Sequence, residues 1–170
     1  KLKNARKELS DLQETMYAEG KHAVAAVRST DALHDKPAIE VDLASVDSLV
    51  EAYQGAEGVF VHLPLGAEPV RSLFARNIAK AVEIAKPSRV VVSTSGWTLG
   101  ITGDESALPT LIKELAATDC SLAIIAPQLY LENLLLPMVI GPVKTEHQLP
   151  YPLGADYPVS WCSHLDVADV

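Results

Sequence analysis

The stretch Arg89-Val90-Val91-Val92-Ser93-Thr94-Ser95-Gly96 decides the fold class. Val90 to Ser93 is a short run of β-branched, apolar residues without polar alternation, the pattern of a strand buried on both faces of a parallel sheet. A small-residue, hydroxyl-rich segment follows at once, as expected where such a strand ends. Runs of the same kind recur outward from it, at Ala23 to Val27, Ile39 to Val41, Val59 to Leu63 and Leu122 to Ala126. Helical periods lie between them. Val46, Leu49, Val50 and Tyr53 follow the i, i+3, i+4, i+7 rule, with Gly55 as the stop. Phe74, Ile78, Ala81, Val82 and Ala85 mark a second helix ending before Pro87. Leu108, Leu111, Ile112 and Leu115 mark a third, with Asp104 or Ser106 as candidate caps. Strands joined by crossover helices make a doubly wound, Rossmann-like α/β fold with a mostly parallel sheet.

Composition narrows the function classes. The 170 residues are 48% hydrophobic and 21% charged, enough for one substantial core. With 14 basic and 22 acidic residues, the net charge of −8 argues against a nucleic-acid partner. Cys120 and Cys162 are the only cysteines, too few for a disulfide framework, which favours a reducing, cytoplasmic setting. The longest apolar run, Leu134 to Ile140, is interrupted by Pro137 and too short to span a bilayer. The chain opens Lys-Leu-Lys-Asn-Ala-Arg-Lys, without the apolar core of a secretory signal.

Two segments depart from the regular pattern. Residues 1–20 are highly charged and read as an atypical helical segment, with Leu2, Leu9, Leu12 and Met16 as an uneven apolar stripe. They offer neither the first strand nor the glycine-rich turn of a doubly wound fold. Residues 21–170 form the Rossmann-like domain. From about residue 127 it becomes a substrate-side tail punctuated by Pro127, Pro137, Pro142, Pro150, Pro152 and Pro158, in which no helix longer than about two turns is expected.

In an open α/β sheet, ligands sit beyond the carboxyl ends of the strands. The residues at those ends are Arg28 and Ser29, then Asp42 and Leu43, then His62, Leu63 and Pro64, then Ser93, Thr94 and Ser95. An arginine at the first of these positions can pair a 2′-phosphate bidentately; a solvated strand-end arginine is the alternative. Asp42 and Leu43 suit an adenine. Cys162, His164 and Asp166 alternate along the chain but lack a second ligand cluster, so they make a weak metal site. Ser93 and Ser95 have no Gly-x-Ser-x-Gly elbow around them, which argues against a serine hydrolase.

Several blocks together resemble the NmrA-like family of atypical short-chain dehydrogenases. They are Ala26-Val27-Arg28-Ser29, Val41-Asp42-Leu43, Gly55-Ala56-Glu57-Gly58-Val59-Phe60, Asn77-Ile78-Ala79-Lys80-Ala81 and Arg89 to Ser95. Pro127-Gln128-Leu129-Tyr130-Leu131-Glu132-Asn133-Leu134 is similar to the family's Pro-x-x-Phe-Met-Glu-Asn-Leu segment, and His164-Leu165-Asp166-Val167-Ala168 to its Val-x-Asp-Ile-Ala segment. The resemblance implies a Rossmann-type domain that prefers NADP(H) over NAD(H), with quinone reduction or redox sensing as its task. It implies that Arg28 holds the 2′-phosphate, that Pro127 lines the cofactor site, and that Lys113 lies near the nicotinamide, a solvated helix lysine being the alternative there. Tyr130 or Lys113 would then donate a proton to a developing quinol oxygen. The implied partner is an apolar acceptor such as a quinone, in a pocket built from residues 63–67, 95–99 and 130–136; a protein partner or a second copy of the chain is left open.

The chain departs from the family at two points. Lys3, Arg6 and Leu9 fall where the glycines of the Gly-x-x-Gly-x-x-Gly turn belong, and large side chains there block backbone approach to a pyrophosphate. No tyrosine lies between Tyr53 and Tyr130, so the Tyr-x-x-x-Lys pair is missing. The expectation is of most of a larger domain, with a further strand before residue 20 and more sheet and helix after Val170.

Overall fold

The computed structural model describes residues 24–31, 37–96, 99, 103–154 and 156–168. The expected N-terminal helical segment lies outside the described residues, as do Ala23 and Trp97. The chain divides into two compact units, Lys1–Asp42 and Leu43–Val170.

In the first unit, β1 (Ala25–Val27) pairs in parallel with β2 (Ala38–Glu40), Ala25 opposite Ala38 and Val27 opposite Glu40. The Val41 N–H donates to the Val27 carbonyl at 2.8 Å and extends the ladder by one step.

The second unit is built on three parallel strands in sequential order, β3 (Gly58–His62), β4 (Arg89–Ser93) and β5 (Ser121–Ile125). Val61, Val92 and Ile124 stand abreast in the register, and so do His62, Ser93 and Ile125. Side chains alternate between the two faces of a strand. One face therefore carries Val59, Val61, Val90 and Val92, the other Phe60, His62, Val91, Ser93 and Ala123. Val61, Val90 and Val92 are buried, while Phe60 is 52% exposed. Two successive parallel crossovers in sequential strand order, given the usual right-handed chirality of such connections, send their helices to one face. That face is the buried one.

The helices form for legible reasons. α1 (Val46–Tyr53) starts at Ser45, whose side chain accepts the Ser48 N–H at 3.2 Å, and ends before Gly55 at φ +76°. α2 (Glu68–Ala85) has a proline in its first turn and stops at Lys86, whose φ of 51° is left-handed, with Pro87 next. α3 (Ala107–Ala116) buries Leu108, Leu111 and Leu115. With Ala75, Ile78, Ala79 and Val82 of α2 they make the core. Each fully buried Leu or Ile contributes on the order of 2 kcal/mol.

The tail differs from expectation. α4 (Pro137–Glu146) runs for ten residues and contains two of the prolines read as punctuation. Pro137 sits in the first turn, where its fixed φ and missing N–H favour a helix start. Pro142, inside the helix, removes the backbone bond its N–H would have made and crowds the Met138 carbonyl, a cost this short helix carries. Before α4 lie β6 (Leu129–Tyr130) and a 3-10 turn, Leu131–Leu135. After it, β7 (Trp161–Cys162) pairs in parallel with β6 and leads into α5 (His164–Ala168).

Candidate functional site

The three strands of the second unit run in one direction and end level, so their following loops leave from one edge. His62 closes β3, exposed on the open face; Leu63 behind it is buried and Pro64 half-buried. Ser93 closes β4 and is buried, as is Thr94, whose backbone N–H continues the ladder to the Ile125 carbonyl at 2.9 Å. The Ser93 hydroxyl accepts the Ser95 N–H at 3.3 Å. Ser95 and Gly96 both adopt left-handed backbone, at φ +52° and +86°. Such a conformation costs a serine about 1 kcal/mol and clusters at ligand sites. A Cβ on Gly96 would stand 3.6 Å from the Gln128 carbonyl and 3.9 Å from that of Pro127, so the turn after β4 lies on the loop after β5. Pro127 is buried beneath it, and Gln128 Oε1 accepts the Ser160 N–H at 3.1 Å, tying the loop to the tail.

Thr94 Oγ1 is buried and has no hydrogen-bond partner among the described residues. A buried hydroxyl without a partner costs about 1 to 3 kcal/mol. It stands at the carboxyl end of the central strand, the edge where ligands of open α/β sheets bind. Lys3, Arg6 and Leu9, the positions counted for a glycine-rich turn, lie outside the described residues.

Two helix starts meet at the same edge, and sequence reasoning missed what joins them. Glu68, in the first turn of α2, accepts the Ala107 N–H with one oxygen and Arg71 Nη1 with the other at 2.8 Å. It thereby serves α3 as the cap that the Ser106 side chain does not provide. Asp104 Oδ1 instead accepts the Ser106 N–H at 2.9 Å, and Ser106's side-chain and backbone hydrogen bonds hold the Asp104 carboxyl below its ordinary range. Arg71 is 5% exposed. A buried arginine one turn into a helix, three residues after a glutamate, is the only trace of this in the sequence.

The remaining expected residues are dispersed. Arg28 and Ser29 follow β1, both exposed, with Ser29 Oγ accepting the Asp31 N–H at 3.3 Å, and Asp42 follows β2. These three belong to the first unit. Leu43 opens the second, its carbonyl accepting Asn77 Nδ2 at 3.0 Å. Lys113 is exposed on the side of α3 away from its buried leucines, about 9 Å along the axis from the helix start. Tyr130 ends β6 half-buried, its ring against that of His164 with centroids 4.4 Å apart. The Asp166 carboxylate accepts the Ser163 N–H at 2.6 Å and the Ser163 hydroxyl accepts the Asp166 N–H at 3.1 Å, a reciprocal cap that keeps Asp166 below the ordinary carboxylate range. Burial first, then the Asp166 and Glu132 carboxylates, push the Cys162 thiol up. A cavity of about 500 Å³ opens elsewhere, against Phe60, Val91 and Val167, with Arg89 and His164 in its wall. It lies on the exposed sheet face and not in the loops where an acceptor pocket is expected.

A family model described as NAD(P)H-binding matches residues 10–118. No curated protein matches the chain. Among solved structures, it is similar to a nucleoside-diphosphate-sugar epimerase from Staphylococcus aureus, with a TM-score of 0.64 and 16% identity over 85% of this chain and 54% of that one. A UDP-N-acetylglucosamine 4-epimerase from Bacillus cereus gives 0.67 and 11% over 92% of this chain and 63% of that one. The triphenylmethane reductase of a Citrobacter species, complexed with NADP(H), gives 0.55 and 16% over 72% and 45%. At these identities the likeness is one of fold, and the chain spans about half the length of the first of these.

Proposed function

Because the chain belongs to the NAD(P)H-binding family whose model covers more than half of it, we propose that it is an NmrA-like, NADP(H)-dependent oxidoreductase of the quinone-reductase type. The observation that carries this reading is the edge where β3, β4 and β5 end, with the unpartnered Thr94 hydroxyl and the left-handed Ser95–Gly96 turn over Pro127. Ser93, Thr94 and Ser95 would hold the nicotinamide end, with Leu63, Pro64 and Pro127 as its apolar walls and His62 beside them. Arg28 would pair the 2′-phosphate, and Ser29, Asp42 and Leu43 the adenosine. When bound, the dinucleotide supplies the hydride. The protein's task is to orient it, exclude water and place a proton donor, for which Tyr130 is the candidate.

Missing the Tyr-x-x-x-Lys pair suits an acceptor that needs little acid–base help, and quinones are of that kind. Turnover of NADPH with a panel of quinones tests the reading. Acceptor-dependent oxidation well above background supports it. Tight cofactor binding with background turnover would turn the chain into a redox sensor acting through a protein partner.

The sequence supports one further reading. A doubly wound sheet carries its glycine-rich turn on a central strand that ends facing the pyrophosphate. Lys3, Arg6 and Leu9 fall by count where those glycines are expected, and they lie outside the described residues. On this reading the chain binds dinucleotides weakly and acts through contacts. Restoring glycine at the three positions without any gain in NADPH affinity favours it.

A further inference from the structure

Asn77 stands near the middle of the 18-residue α2. Asparagine is a poor helix former there, because its short amide competes for nearby backbone groups. In this helix the amide reaches outward instead. Its Nδ2 donates to the Leu43 carbonyl at 3.0 Å, between residues 34 apart in sequence, in a part-buried contact. Both residues belong to the second compact unit.

Leu43 and Ala44 make the turn between β2 and α1. The turn is anchored on its far side at Ser45, whose hydroxyl caps α1 by accepting the Ser48 N–H. Asn77 anchors it at Leu43. A peptide group is planar, so holding the Leu43 carbonyl sets the plane that joins Leu43 to Ala44. The packing of α1 and α2 has its own source in buried apolar residues, Leu49 and Tyr53 on one helix and Ile78, Ala79 and Val82 on the other. The tether therefore acts on the turn more than on the fold.

We propose, resting on the reading of Leu43 as an adenosine contact, that Asn77 is a positioning residue for the adenosine end of the dinucleotide. It touches no part of the ligand and acts through the Leu43 carbonyl alone. A flat ring is recognised by backbone held at a fixed angle, and a turn already ordered in the free chain spares the ligand the cost of ordering it. Loss of the tether weakens the adenosine end by about fivefold, the factor that corresponds to one net hydrogen bond.

Calorimetric titration of the intact chain with NADPH and its two halves tests the assignment. The compound 2′,5′-ADP carries the adenosine end alone, and reduced nicotinamide mononucleotide carries the other. Asn77→Ala is a better helix former, and Asn77→Asp keeps the size but sets an acceptor against an acceptor. Both variants are expected to bind NADPH and 2′,5′-ADP about fivefold more weakly, with reduced nicotinamide mononucleotide within about twofold of the native chain. Equal losses on the two halves would make Asn77 a support of the whole fold and overturn the proposal. Native affinity for 2′,5′-ADP in both variants would overturn it as well, leaving the dinucleotide reading intact. A native chain that binds neither NADPH nor 2′,5′-ADP refutes that reading itself, and the positioning role falls with it.

Discussion

Replacing Glu68 by alanine is expected to loosen the strand-end edge from two sides at once. One Glu68 oxygen caps the first N–H of α3 and the other pairs with Arg71 of α2, so a single side chain holds together the starts of both helices. Losing the cap on the Ala107 N–H, whose acceptor is a charged carboxylate, costs about 1.5 kcal/mol. The ion pair adds only about 0.5 kcal/mol, because the Glu68 side chain is 46% exposed and solvent screens it. The total for Glu68→Ala is about 2 kcal/mol. Glu68→Gln retains an acceptor for Ala107 and loses the charge, so about 1 kcal/mol is expected. In urea, with a slope of about 2 kcal/mol/M, the midpoint drops by about 1 M and 0.5 M respectively. Two alanine and glutamine variants that unfold within about 0.2 M of the native chain would refute the bridging role of Glu68.

Three further outcomes follow from other parts of the molecule. Burial pushes the Tyr53 hydroxyl from 10.0 up to about 12. A raised acid is more stably neutral in the fold, so its contribution is complete below pH 10 and drains away as pH climbs through 12. About 3 kcal/mol of stability is lost across that window, and Tyr53→Phe flattens the alkaline limb of a denaturation series. Gly96→Ala costs about 1 kcal/mol in the same assay from backbone conformation alone, since its new methyl meets only ordinary contacts at 3.6 and 3.9 Å. Arg28→Ala weakens NADPH about tenfold and leaves NADH nearly unchanged in a binding titration, if the guanidinium holds the 2′-phosphate.

How much of this was legible in the sequence depends on whether the signal was local. The β3, β4 and β5 strands were readable because each is a compact apolar run, and α1 because its residues keep the helical period and Gly55 marks its end; the Ser45 cap emerges from the structure. The start of α2 at Glu68, six residues ahead of the first periodic residue used, was not, because Glu68, Pro69 and Arg71 are polar or helix-starting residues. α4 was missed because Pro137 and Pro142 were both read as breaks, when position in the first turn makes one of them an initiator. The strand-end residues Ser93, Thr94 and Ser95 could be named from topology alone. That Thr94 is buried without a partner, or that Ser95 is left-handed, depends on the β5 loop lying against Gly96, thirty residues away. The Glu132–His164–Tyr130 contact is likewise non-local: β6 and β7 must pair before Glu132 meets His164.

The charge balance that argued against nucleic acid also bears on binding. A net −8 chain repels a dinucleotide phosphate at long range, so local cations and backbone donors must supply the attraction. Among the expected site residues Arg28 and Lys113 are the cations, and the Arg28 guanidinium is the one that can pair a phosphate bidentately. No described helix is long and apolar enough to cross a membrane.

Nicotinamide fluorescence titrated with the chain, using NADPH and NADH in parallel, tests the central claim most directly. The account predicts saturable binding of both, with NADPH the tighter. Absence of binding by either dinucleotide would contradict it.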